Sequence, residues 1–307
     1  MGIWIDTDMG FDDIAAILTV AASGQAIDGV SLTFGNAPLG QVERNAAGAV
    51  SAFGWTFPVH SGADRAVMGT AETATAILSE AGMPTAGMRL PEATLPSDLP
   101  AFEALCRWFE RDDGEKRILA LGPLTNIAAL CLARPDLAAR ITEIVWMGGG
   151  VTLGNHTASA EFNALADPEA AAIVLSRGVP FVMADLDFCR KITINMDDVA
   201  ALRDKTGRNA TLLADLTEGF VDIARKRGRT EMAFFDPAAA VAFCYPEWVT
   251  RQEVHLAFET AGQLTRGRSV VETRAHKAEF NAAILTDVDV KAAHDAIQSA
   301  LLAEAGR

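Results

Sequence analysis

Short apolar runs alternate with amphipathic stretches along nearly the whole chain, the pattern of a mainly parallel sheet covered by helices. Residues 2–6 (GIWID) read as a buried strand, 12–22 (DDIAAILTVAA) as a helix and 29–34 (GVSLTF) as the next strand. Further strands are expected at 117–121, 141–147 and 179–183, with helices at 39–53, 124–132 and 168–175, each opening beside Asn, Pro or Asp. Later segments at 253–258, 269–273 and 282–285 fit strands, and 288–304 fits a closing helix. The least regular stretch is 66–100, where Pro84, Pro91, Pro96 and Pro100 break any period, and it is expected to be a surface excursion beside the site. No composition break, linker or repeat divides the chain, so residues 1–307 are expected to form one α/β catalytic domain.

Half the residues are hydrophobic and 21% are charged, a composition that supports a large core and excludes disorder. Acids outnumber bases 40 to 26, for a net charge of −14, which repels phosphate backbones and anionic headgroups. Neither nucleic acid nor a membrane surface is expected as a partner. Cys106, Cys131, Cys189 and Cys244 are too far apart for a metal or redox pair, and no apolar run approaches the ~20 residues of a membrane span. Reduced core thiols and a cytoplasmic location are expected.

The densest chemistry lies in residues 3–14, IWIDTDMGFDDI, where Asp6, Asp8, Asp12 and Asp13 crowd the first strand-to-helix turn. In an open parallel sheet ligands bind outside the carboxyl ends of the strands, so this is where a site belongs. Helix N-terminal amides, shared protons or a divalent cation can hold such a cluster together. Oxygen ligands without His or Cys point to calcium or magnesium. Gly10 is expected to permit an unusual turn among the acids.

The segment DTDMGFDD resembles the N-terminal signature D-x-D-x-G-x-D-D of the inosine–uridine nucleoside hydrolases, calcium enzymes that cleave the N-glycosidic bond of nucleosides. The resemblance continues in the family's order with FGN at 34–36, RNA at 44–46, GPLTNIA at 122–128, WMGGG at 146–150, EFN at 161–163, ADPEAA at 166–171, Asp236–Pro237 and LTRGRSVVE at 264–272.

The resemblance implies a Rossmann-like nucleoside hydrolase fold, a nucleoside substrate and a homodimer or homotetramer. It implies Ca²⁺ held by Asp8, Asp13, Asp236 and the main-chain carbonyl of Leu121, with Asp8 the general base toward a metal-bound water. Asp12, Asn36, Asn155, Glu161 and Asn163 match ribose-hydroxyl contacts, with Met147 against the sugar. Asp6 is implied only as a supporting hydrogen-bond partner. On their own, Asn36 and Asn155 beside glycines are also ordinary turn residues, Met147 an ordinary core residue, and Glu161 and Asn163 two positions of one extended face.

Two departures stand out. Phe235 precedes Asp236 where many members carry a histidine proposed to protonate the leaving base, and Leu78–Ser79 stands where a histidine–glycine pair is often found. Phe235 resembles the purine-preferring subclass, in which an aromatic ring stacks on the base, so a purine preference is expected. Of five histidines only His156 lies beside motif residues; it is a candidate leaving-group acid and reads equally as an ordinary surface-loop histidine. The same strand–D-x-D opening also fits a haloacid-dehalogenase-like Mg²⁺ phosphatase with Asp6 as nucleophile and Asp8 as acid and base. A fold that binds nucleoside or calcium without turnover is the third alternative. A carboxylate-rich pocket is expected to favour uncharged nucleosides over nucleotides.

Overall fold

The computed structural model describes residues 2–307. Its core is a nine-stranded sheet built from β1 (Gly2–Thr7), β2 (Ala26–Leu32), β3 (Val59–His60), β4 (Arg117–Ala120), β5 (Glu143–Met147), β6 (Phe181–Ala184), β9 (Val249–Phe258), β10 (Ser269–Glu272) and β11 (Ala282–Val288), while β7 (Thr193–Asn195) and β8 (Glu231–Ala233) form a separate ribbon. The strand order is β10-β9-β11-β6-β5-β4-β1-β2-β3. From β11 to β3 every neighbour is parallel, and only β9 runs against its neighbours.

The parallel strands are apolar on both faces because helices cover both. Ile3, Ile5, Leu119, Val145, Met147 and Val182 point into one helical layer. The alternate residues Trp4, Ile118, Ala120, Ile144, Trp146 and Met183 point into the other. Trp146 is fully buried, with its indole N–H donating to Gly122 O at 2.9 Å, which ties β5 to the loop after β4.

The chain leaves β1 toward β2 and β3 on one side and later returns to lay β4 on the other. The carboxyl end of β1 therefore faces a crevice where the strand order reverses, the place where open α/β sheets bind ligands.

Helices Leu39–Phe53 and Pro168–Leu175 have the expected bounds. The expected strand at 29–34 is displaced toward the N-terminus, to Ala26–Leu32, because its last two positions have already turned into the site loop. Between 66 and 100 the only helix is the single turn Thr75–Leu78. Residues 161–163 are not extended, contrary to expectation: Glu161 caps the five-residue helix Phe162–Ala166 through its own carboxylate. Helices Ala101–Glu110, Met196–Arg203, Ala210–Arg225 and Phe235–Cys244 were not legible in the pattern. The last of these is nearly all apolar (FDPAAAVAFC) and buried all round, so it has no polar face to mark a helical period. All four cysteines are free, and no helix among the described residues is long and apolar enough to cross a membrane.

Candidate active site

The site begins where β1 ends. Met9, not Gly10, takes the left-handed conformation, with φ of 42°, while Gly10 is extended at φ −84°. Gly10 is needed for a different reason: a Cβ there would lie 2.5 Å from Asn36 Nδ2. The turn is clamped by its own side chains. Thr7 Oγ1 donates to Asp13 Oδ1 and accepts from Met9 N, and Gly10 N donates to Asp13 Oδ2 at 2.7 Å. Asp12 and Asp13 thus sit in the first turn of helix Phe11–Ala22, where the helix dipole favours negative charge.

Asp236 is brought to the same place from the first turn of helix Phe235–Cys244. Carboxylate oxygens of Asp12, Asp13 and Asp236 all lie within 4.8 Å of one another. Burial pushes the pKa of Asp12 up to about 8, with Asp13 adding repulsion. Burial likewise raises Asp8, Asp13 and Asp236, and Asp8 and Asp236 are raised further by neighbouring carboxylates. A cluster of this kind, without a cation, must hold protons to persist. Its donors are all oxygens, so it suits a hard divalent ion.

Asp8 stands beside this group in a tight cradle. Its Oδ2 accepts from Asn36 N at 2.8 Å and its Oδ1 from Asn36 Nδ2 at 2.8 Å. Gly35, at φ 158°, makes room for it, since a Cβ there would fall 2.0 Å from Asp8 Oδ2. Asn36 also donates from Nδ2 to Asp13 Oδ2 at 3.1 Å, linking the two acids.

Asp8, Asp12, Asn36, Leu121, Met147, Asn155, His156, Glu161, Asn163, Phe235 and Asp236 all line one cavity of about 310 Å³. Asn163 Nδ2 donates to Leu121 O at 2.9 Å and Met147 O at 3.0 Å, so it holds both strand ends. Glu161 accepts from Gly149 N, Asn163 N and Ala164 N, and burial raises its pKa to about 7 against those three amides. Asn155 Oδ1 accepts from Phe162 N at 3.0 Å, which fixes the loop that carries His156. His156 lies 3.8 Å from Glu72 and packs its ring edge-on to Phe162, 5.2 Å between centroids.

Asp13 lies just beneath the cavity and Asp6 is outside it. Asp6 is fully buried, with Oδ1 accepting from Ser31 Oγ and from Asn126 Nδ2 at 2.8 Å, and burial raises its pKa to about 7. An inaccessible carboxylate cannot attack a phosphate, so Asp6 is not a nucleophile and the phosphatase alternative falls. Asp6 is walled off from the cavity, where the resemblance implies only a supporting hydrogen-bond partner.

Sequence reasoning missed the wall formed by Phe220, Ile223 and Met232 and the arginines Arg190, Arg227 and Arg229 at its edge. Exposed arginines far from any motif carry no signal in the chain itself. Ile77 and Leu78 of the irregular stretch line the same cavity, as expected for an excursion beside the site.

A mainly parallel sheet with an acidic, oxygen-only cluster at the carboxyl end of β1, beside a cavity of about 310 Å³, is the arrangement of an α/β protein that binds a small ligand at its strand ends. The family model described as inosine-uridine preferring nucleoside hydrolase matches residues 3–295, and the chain belongs to that family: it is a nucleoside hydrolase, an N-glycosidase. The pyrimidine-specific ribonucleoside hydrolase RihA of Escherichia coli O1:K1 / APEC is 33% identical over 295 residues, 94% of each chain. Among solved structures, a purine-preferring ribonucleoside hydrolase from Gardnerella vaginalis superposes with a TM-score of 0.91 at 24% identity, over 100% of this chain and 99% of that one. The plant nucleoside hydrolase PpNRh1 superposes with a TM-score of 0.90 at 22% identity, over 98% and 99%. The purine preference expected from Phe235 gains no support from the 33% relative, which is named for pyrimidines.

Proposed function

We propose that the protein hydrolyses the C1′–N bond of ribonucleosides to ribose and free base, with Asp8 as general base and Ca²⁺ as cofactor. The observation that carries this is the juxtaposition of the Asp12, Asp13 and Asp236 carboxylates with the Asn36-held Asp8 on the floor of one cavity. Asp8, Asp13, Asp236 and the Leu121 carbonyl would hold the ion, with Asp12 beside them. Calcium bound there supplies a fixed positive charge that orients the sugar and makes water more acidic.

The chain's own residues do the rest. Asn36 presents both oxygens of Asp8 at fixed distance, so that a water between Asp8 and the anomeric carbon can lose its proton to the carboxylate. As the bond to the base stretches, positive charge grows on the ribose. Asp12, Glu161 and Asp236 stabilise it electrostatically, in a site already paid for by folding. Asn155, Glu161 and Asn163, with Asp12 and Asn36, supply polar atoms for the ribose hydroxyls, and Met147 packs under the sugar. Phe235 offers an aromatic face to the base.

Ribose release over inosine, adenosine, uridine and cytidine, with and without chelator, tests both reaction and metal. Loss of turnover on chelation, restored by calcium, is the expected result. Turnover indifferent to chelator overturns the cofactor, and uridine cleaved much faster than inosine removes the purine preference suggested by Phe235. The cavity and the family indicate a small-molecule substrate; an assembly of two or four copies is the proposed state, checked by sedimentation.

A further inference from the structure

Arg190, Arg227 and Arg229 border the catalytic cavity, and the carboxylate chemistry uses none of them. Arg190 is turned toward Asp187, at 3.4 Å. Among the described residues the Arg227 and Arg229 guanidiniums have no side-chain partner, in a chain where acids outnumber bases 40 to 26 and even the neighbouring Arg225 is paired with Asp222. Arg229 also borders a second depression, whereas Arg227 faces the catalytic cavity alone.

Their backbone is well held. Arg227 N and Arg229 N both donate to Ala224 O, at 2.9 and 3.1 Å, and Gly228 turns the chain between them at φ 74°. This turn closes helix Ala210–Arg225, whose Phe220 and Ile223 line the same cavity as Met232 and Phe235. The acidic floor takes the sugar, which leaves this apolar wall for the base. The guanidinium of Arg227 then stands at the edge of the base.

We propose that Arg227 is the leaving-group residue of this enzyme, donating N–H bonds to an exocyclic carbonyl oxygen of the base, and that the substrates it serves are nucleosides of oxygen-bearing bases. This rests on the nucleoside-hydrolase reading above. The C1′–N bond breaks with both electrons passing to the base nitrogen. The water oxygen bonds to C1′ and its proton passes to Asp8. The negative charge on the departing base spreads onto its carbonyl oxygen, where the guanidinium holds it until the base takes a proton from solvent. Arginine suits this role because it stays protonated and presents its donors in a rigid plane matching the plane of the base. Its charge is in place before the reaction, as transition-state stabilisation requires. Adenine presents an amino group and no oxygen, so it gains little.

The test compares wild type, Arg227→Ala and Arg227→Lys on inosine, uridine, adenosine and para-nitrophenyl β-ribofuranoside, whose nitrophenolate departs without help. In Arg227→Ala, kcat/KM for inosine and uridine should fall roughly 10²-fold, the usual cost of losing one charge-stabilising donor. The fall should be much smaller for adenosine and the nitrophenyl riboside. Lysine should restore part of the loss, as should guanidinium ion added to Arg227→Ala. Equal losses on all four substrates, or undiminished cleavage of inosine and uridine, overturn the role. Wild type that cleaves the nitrophenyl riboside keeps the hydrolase standing even if the arginine fails, whereas wild type that cleaves none of the four defeats both. Arg227 is exposed, so its variants should melt like the wild type.

Discussion

Asn36 holds both oxygens of Asp8, the backbone N–H at 2.8 Å from Oδ2 and the side-chain amide at 2.8 Å from Oδ1. A carboxylate so held has one orientation, as the proposed general base requires, and its neighbours Gly10 and Gly35 have no side chain because the cradle leaves no room for one. The Asp8–Asn36 pair is therefore the most sensitive point of the site.

Asn36→Ala removes one of the two clamps on Asp8 and its link to Asp13. The turnover number is expected to fall roughly 10²-fold, the scale of a misplaced reacting group. Circular dichroism should show an intact fold, because Asn36 lies in the half-buried loop after β2, outside the hydrophobic core clusters. A steady-state assay with inosine or uridine checks the first point and a melting curve the second.

Gly35→Ala and Gly54→Ala should separate site from stability. A Cβ at Gly35 falls 2.0 Å from Asp8 Oδ2 and displaces the base, so activity should be lost. Gly54 also has a positive φ, 65°, but a Cβ there meets nothing within 4 Å. Its substitution should cost about 1 kcal/mol from left-handed strain alone and leave kcat intact. Activity lost equally in both variants would contradict this account.

Asp8→Asn should lower kcat by roughly 10²–10⁴, the range for a lost general base. Asp6→Asn should cost far less activity, since Asp6 only accepts bonds from Ser31 and Asn126 and its raised pKa of about 7 means the native group already carries a proton much of the time near neutrality. Abolition of turnover by the Asp6 change alone would place it in the chemistry after all.

The raised carboxylates make metal binding and stability pH-dependent. Asp6, Asp12 and Glu161 have folded pKa values of about 7, 8 and 7, above their ordinary 3.8, 3.8 and 4.5. The folded chain thus binds more protons than the unfolded one between about pH 4 and 8, so metal-free stability should fall as pH rises through that window. On the proposed calcium reading the ion would have to displace the protons of the Asp12–Asp13–Asp236 cluster, so its affinity should rise with pH. Calorimetry in two buffers of different ionisation enthalpy should report proton release near pH 7. The calcium-induced rise in melting temperature should be larger at pH 8 than at pH 6.

Much of the fold was legible because period and local chemistry agree. Helix Leu39–Phe53 ends at Gly54 in the left-handed conformation, and helix Pro168–Leu175 opens with Asp167 as cap and Pro168 at its first position. Glu161–Asn163 was misread because a five-residue helix is too short to show a period and rests on one carboxylate accepting three amides, a tertiary arrangement. Gly10 is expected to permit an unusual turn among the acids, yet the left-handed residue there is Met9 and Gly10 is extended. There the Thr7–Asp13 clamp outweighs backbone preference.

The class of sheet, the acidic turn after the first strand and the family are all legible along the chain, since these rest on local spacing and on motifs kept in order. Which acids open to the cavity is set by three-dimensional packing. Asp6 and Asp8 are two positions apart, which strand alternation alone would put on one face; β1 ends at Thr7, so Asp8 lies in the turn and opens to the cavity while Asp6, still in the strand, is sealed against Ser31 and Asn126. Packing likewise sets what stands at the rim: Arg227, unmarked by any local pattern, lines the cavity because helix Ala210–Arg225 packs against β8 and ends there.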